Sequence, residues 1–399
     1  MHSWRSPLTL FGGLSVATYD VDITVISREI DFDDGKCPIY HNHMKGIYNA
    51  PVSQAPVLML CPRAWNMVEH NMMVPGPLFD FGLLMFHNAK LILQNQSGPF
   101  FYLSKVSSYI EARLWSQISF WTEKKLGLQV GCMKATVLIE CVPASFEMEI
   151  LYELKEHSAG LNCGIWDYSA SFVNRFGHQA DFLLPDHSKY VDMEKRFLHS
   201  YMDLLVQTCH RRGALATGGM AALLLPGDKE TQRKQAGVDG FMVYDMDLIE
   251  PMQKLFQLHS HGQNQLLQLR EDITVTPEDL LIMPAGGVTR YGLRYNIAVG
   301  VLFIEAWLSG RGHFFYLGKV GSLRVWQWIR YQVRLEDDRA VDPSSCQITD
   351  LFSISTLFRD KQRLMTAVSM FLETVLKNDF PEFLTTYLNL DHTFHSSQS

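Results

Sequence analysis

Residues 131–168 constrain the fold more than any other stretch. They hold two short apolar runs, 135–139 and 160–166, and each is followed by an acid, Glu140 and Asp167. Between the runs, Phe146, Ile150, Leu151 and Leu154 recur at helical spacing. The pattern reads strand, helix, strand, and a crossover of that length makes the two strands parallel. Both carboxylates then fall at C-terminal strand ends, where α/β barrels place their chemistry. One divalent ion could bridge them, or each could be a solvated strand-end acid. Spacing by itself favours the second reading.

The alternation continues on either side. Strand-like runs at 57–60, 100–103, 135–139, 160–166, 213–218 and 240–244 are separated by helix-period segments, among them 78–93, 109–126 and 197–209. Six strands alternating with helices predict a parallel sheet, as a barrel or a doubly wound sheet. A closed (β/α)8 barrel needs eight strands. The deficit lies N-terminally, where only the alternating run 21–27 could add another. After residue 250 the pattern turns helical, at 252–259, 276–282, 291–308, 323–333, 351–377 and 383–390. The division read from the sequence is an atypical N-terminal segment 1–34, a barrel domain 35–250 and a helical domain 251–399.

Charge and cysteine usage narrow the function. A net charge of −7, with no basic tract, argues against nucleic-acid binding. Seven scattered cysteines, none spaced as Cys-x-x-Cys, fit free thiols in a reducing compartment and leave no zinc ribbon. The most apolar window, 78–93, is interrupted by Asp80, His87, Asn88 and Lys90, so no membrane span is expected. The pairs His41/His43 and His259/His261 read as surface histidines rather than zinc ligands. The C-terminal Ser-Ser-Gln-Ser is not a Ser-Lys-Leu type address. A cytoplasmic or peroxisomal protein is expected, and an N-terminal targeting segment is left open.

The stretch Glu156-His157-x-x-Gly160-Leu161-Asn162-x-Gly164-x-Trp166-Asp167-Tyr168 resembles the signature of the malate synthase family. The resemblance extends through Gly98-Pro-Phe-Phe-Tyr-Leu-Ser-Lys105, Glu111-Ala-Arg-Leu-Trp115, Lys134-Ala-Thr-Val-Leu-Ile-Glu140, Cys209-His-Arg-Arg-Gly213, Asn296-Ile-Ala-Val-Gly300 and Trp326-Gln-Trp-Ile-Arg330. It implies a TIM-type barrel, incomplete at the N-terminus in this chain, with a C-terminal helical domain. The implied reaction joins glyoxylate to acetyl-CoA and hydrolyses the thioester to malate and CoA. By the same resemblance, Glu140 and Asp167 hold Mg2+, and Gly164 and Trp166 adjoin the substrate. The implied partners are these small molecules, with no nucleic acid and no membrane.

The departures from the family pattern are specific. Cys61 stands where the family has an arginine facing the substrate, in Leu60-Cys-Pro-Arg-Ala-Trp-Asn66. Arg63 is retained, but two residues along. Between residues 310–316 and Trp326 the family carries its catalytic aspartate, and here only a short segment around Val320 remains. The family's Asp-Phe-Glu-Asp strand end is absent, and Tyr244-Asp245 replaces a His-Pro near the CoA site. Losing one transition-state donor costs about 2.7–4 kcal/mol, so impaired turnover is expected. The alternatives are a non-catalytic paralogue or truncated isoform that keeps a Mg/2-oxo-acid site, and a different magnesium-dependent carbon–carbon lyase or synthase.

Overall fold

The computed structural model describes residues 36–40, 47–51, 59–69, 72–191, 194–220, 237–242, 264–309, 324–346 and 360–381, with isolated positions between them. The run 21–27, both histidine pairs, Val320, Tyr244-Asp245 and the helical segments 252–259 and 383–390 lie wholly or mainly outside these residues. An antiparallel hairpin of β1 (Lys36–Tyr40) and β2 (Ile47–Pro51) comes first. It is followed by β3 (Met59–Leu60) and a small hairpin of β4 (Val68–Glu69) and β5 (Val74–Pro75) that leads into α1 (Gly76–Gln94).

Strands and helices then alternate as β6 (Phe100–Leu103), α2 (Tyr109–Leu126), β7 (Lys134–Ile139), the short α3 (Val142–Phe146) and α4 (Ile150–Glu153), and β8 (Ser158–Cys163). They continue with α5 (Ile165–Phe176), α6 (His187–Tyr190), α7 (Arg196–Arg211), β9 (Leu215–Met220) and β10 (Gly240–Met242). The bounds of α2 follow from local chemistry. The Ser108 side chain accepts from the Glu111 N–H at one end, and Gly127, at φ 66°, closes the other in the left-handed conformation.

Six strands form one sheet in the order β10-β9-β8-β7-β6-β3, with every pair parallel. These are the six strands read from the sequence. The sheet curls. Tyr102 Oη on β6 lies 3.3 Å from Met242 Sδ on β10, although four strand spacings would separate them by roughly 19 Å in a flat sheet. The side chains of Tyr102 and Met242 therefore face each other across the hollow of a half-barrel. Close approach of β8 to β9 depends on Gly160, because a Cβ there would overlap the Leu215 carbonyl oxygen.

Behind the sheet, Tyr168 and Phe172 of α5 pack against Phe197 and Tyr201 of α7, with the Tyr168 and Tyr201 rings stacked at 4.1 Å. The last described elements are α8 (Arg290–Leu308), α9 (Val325–Arg330) and α10 (Lys361–Val375). They dock on the segment after α5. Trp328 is fully buried and donates to the Leu184 carbonyl, and the Gln327 amide spans the Leu184 N–H and the Phe182 carbonyl.

Candidate active site at the strand ends

The sequence places Asp167 at a strand end, and the structure corrects this. Strand β8 stops at Cys163, Gly164 turns the chain, and Asp167 sits in the first turn of α5. Glu140 does follow its strand, β7, directly. Gly164 allows the turn, since a Cβ at that position would meet Leu138 Cδ1 at 2.8 Å and Glu140 Cβ at 2.9 Å. The helix therefore starts hard against the end of β7, and its first turn carries Asp167 beside Glu140. The backbone around Glu140 is pinned from three sides. The Tyr201 hydroxyl and the Gly164 N–H both donate to the Ile139 carbonyl, and Val142 N–H donates to Ser171 Oγ at 3.0 Å.

A residue that the sequence reading left unassigned joins the two acids. Lys105 Nζ lies 2.7 Å from Glu140 Oε2 and 2.8 Å from Asp167 Oδ1. Its own backbone N–H donates to Glu140 Oε1 at 2.6 Å. To do both, Lys105 takes φ 57°, a left-handed conformation uncommon for a residue with a side chain. The available signal was positional, because Lys105 lies just past the end of β6 and Glu140 just past the end of the neighbouring β7.

Burial of the three groups is unequal. Glu140 is 2% exposed, Lys105 28% and Asp167 52%, counting side chains. Burial pushes the Glu140 carboxyl up to about 7, Asp167 adds to the rise, and Lys105 opposes it. Burial also works against the Lys105 charge, but the two carboxylates more than offset that and hold its ammonium above the usual lysine range. One cation shared by two acids explains why the lysine gains while Glu140 is not fully compensated.

Cys61 stands at the same mouth. Its thiol is 4.0 Å from Ser104 Oγ, and burial, reinforced by Glu140, pushes it up to about 11. At neutral pH it is therefore an uncharged thiol. Arg63 cannot reach in as a substitute. Its guanidinium is 2.7 Å from Asp80 Oδ1 and 3.0 Å from Glu69 Oε2, and its backbone N–H also donates to Asp80. That buried network fastens the segment after β3 to α1 and β4. Trp166 is half-buried against His187, with ring centroids 4.3 Å apart, and its indole N–H is buried without an acceptor among the described residues.

Two carboxylates, one of them open to solvent, are the donor set that a magnesium ion takes, water and substrate oxygens filling the remaining positions. No group of three or more His, Cys, Asp or Glu side chains gathers as a metal cluster among the described residues. The donor chemistry fits magnesium better than zinc, which takes nitrogen and sulfur ligands.

The sequence profile of the malate synthase TIM barrel domain matches residues 57–283, and that of the malate synthase C-terminal domain matches residues 287–391. The chain belongs to the malate synthase family. Malate synthase of Myxococcus xanthus is 39% identical over 78% of this chain and 66% of its own length. That of Dictyostelium discoideum is 34% identical over 89% and 76%. The glyoxysomal malate synthase of Brassica napus is 37% identical over 77% and 64%. The chain thus spans about two thirds of the length of the Myxococcus and Brassica relatives. Among solved structures, the pyruvate/acetyl-CoA ternary complex of Haloferax volcanii malate synthase aligns with 66% of each chain at 12% identity, with a TM-score of 0.40. The fold is that of the malate synthase TIM barrel with a C-terminal helical domain, and the described residues form a six-stranded half-barrel. No described helix is long and apolar enough to cross a membrane.

Proposed function

We propose that this chain is a malate synthase of impaired turnover, with its reaction centre at the mouth formed by β3, β6, β7 and β8. The substrates are glyoxylate and acetyl-CoA, and the products after thioester hydrolysis are malate and CoA. The observation that carries the reading is the convergence of Glu140 and Asp167, drawn from two family-like stretches, on Lys105 at the strand ends. Glu140 and Asp167 would hold the magnesium ion, which when bound polarises the aldehyde carbonyl of glyoxylate. Glu140 is oriented by the Lys105 N–H and by its pinned strand end, so its carboxylate would be preset for an ion. Asp167, on the exposed side, leaves the other approach open to substrate and water.

Impairment follows from what surrounds this pair. A thioester α-proton is removed only when a cation or donor stabilises the resulting enolate. Where the family has an arginine for that purpose, this chain offers the neutral Cys61 thiol, while Arg63 is held by Asp80 and Glu69. The same observation favours the second reading, a non-catalytic relative that keeps a Mg/2-oxo-acid site.

The test is acetyl-CoA- and glyoxylate-dependent thiol release in the presence of magnesium, run beside the Myxococcus relative. The expected rate is far below that of the relative, with Cys61→Arg raising it by at least about tenfold, within the range that one restored donor can supply. A wild-type rate equal to the relative's would overturn the impairment. Calorimetry with magnesium and glyoxylate separates the two readings, because binding without turnover in either variant leaves only the non-catalytic one.

A further inference from the structure

Resting on the reading that Glu140 and Asp167 hold a divalent cation, we propose that Lys105 is a resident ammonium occupying the cation position of that pair, and that it is exchanged for the divalent ion. Its Nζ contacts Glu140 Oε2 and Asp167 Oδ1 together, at 2.7 and 2.8 Å. An ion bridging the two carboxylates needs an oxygen from each. Nζ already contacts one oxygen of each.

A buried carboxylate without a counter-charge costs several kcal/mol. Glu140 is almost fully buried and has a second acid beside it, so its charged form needs a positive neighbour. Lys105 is built for that task. Its left-handed backbone, φ 57°, brings its N–H and its ammonium onto the same carboxylate, a conformation that is unfavourable for a residue other than glycine. The hold is asymmetric. The backbone donor is fixed to Glu140 Oε1, whereas the ammonium rides on a flexible four-carbon stem that is 28% exposed. When a divalent ion enters from the Asp167 side, two cations cannot share one pair of oxygens, and the lysine is the one with a path to water. Glu140 stays oriented throughout, because its Oε1 contact comes from the backbone.

The exchange makes divalent affinity a difference between the ion's gain and the lysine's loss. Removing the ammonium should therefore tighten binding. The experiment is titration of the full chain with Mg2+ by calorimetry, and with Mn2+ followed by the electron paramagnetic resonance of the free ion. Lys105→Met is expected to bind at least about tenfold more tightly than wild type, which corresponds to roughly 1.4 kcal/mol. Lys105→Arg, which keeps a cation, should remain near wild type, and adding Glu140→Gln to K105M should abolish the gain. If K105M does not fold by circular dichroism, Lys105→Gln, which keeps an N–H donor, is read in its place. Equal or weaker binding by the charge-removing variant overturns the proposal and leaves the metal reading standing. No binding by wild type or by that variant overturns both.

Discussion

Both ends of the sheet bury acids, and the surroundings differ. At the N-terminal ends, Glu123 near the end of α2 accepts from the Gly131 and Met133 N–H groups just before β7, and from His157 just before β8. Asp239 before β10 accepts from the Ala216 and Gln265 N–H groups and pairs with His210 of α7 at 3.0 Å. At the C-terminal ends, Glu140 has one backbone donor and an ammonium that it shares with Asp167. Both Glu123 and Glu140 are nearly without exposure. Burial raises each, but at the base the His157 ring and the backbone donors outweigh it and hold Glu123 below the usual carboxylate range, while at the mouth burial wins and Glu140 is raised.

The difference is one of counter-charge mobility. Fixed N–H groups stabilise a carboxylate permanently and leave it nothing to do. A side-chain cation on a flexible stem can be traded for another cation, at some loss of stability. The base of the half-barrel is thereby a clamp joining α2 to β7 and β8, and α7 to β9 and β10. On the proposed reading, the mouth holds its acids loosely enough for a cation to exchange.

The comparison breaks most readily at the base. Glu123→Leu strands two backbone N–H groups and the His157 ring, and should cost about 3–5 kcal/mol of stability in urea melts while leaving magnesium affinity unchanged. A loss below about 1 kcal/mol would mean that the clamp is not structural. The opposite profile is expected of Glu140→Gln. Divalent affinity should fall by more than about a hundredfold, roughly 2.7 kcal/mol, with a thermal midpoint no lower than wild type, because a buried charge is removed. A lowered midpoint would show that Glu140 is part of the clamp.

The His210 pair sharpens the comparison through pH. Burial alone would lower His210, but Asp239 and the Gln268 carbonyl, 2.7 Å from Nδ1, more than reverse it and raise the ring above its ordinary value. Its contribution is fully present below the unfolded value of about 6.5 and is lost as pH rises through the higher folded value. His210→Gln should accordingly cost about 1–2 kcal/mol in acidic buffer and less in alkaline buffer. A cost that grows with pH would reverse the sign and refute the ion pair. The smallest effect belongs to Asp167→Asn. Half-exposed and screened by water, it should weaken magnesium binding by roughly fivefold, and a loss as large as that of E140Q would make the two acids equal partners.

The six strands and α2 were legible because each rests on a local signal, a run of apolar residues or a helical period. The end of β8 was not. The apolar run 160–166 is continuous in sequence, yet the chain turns at Gly164, where the missing side chain lets α5 close on Leu138 and Glu140. Arg63 could not be dismissed from sequence either, because Asp80 and Glu69 claim it only once β3, β4 and α1 are assembled.

From sequence alone came the parallel alternation, the family, and Glu140 and Asp167 as the acids of interest. These follow from residue type and short-range period, which survive without a third dimension. Only the tertiary structure decided that Asp167 rides on a helix, that Cys61 is a neutral thiol, and that Lys105 stands between the two acids. Lys105 lies 35 residues from Glu140 and 62 from Asp167. Its role depends on strand register and on one left-handed backbone angle, and neither leaves a periodic trace along the chain.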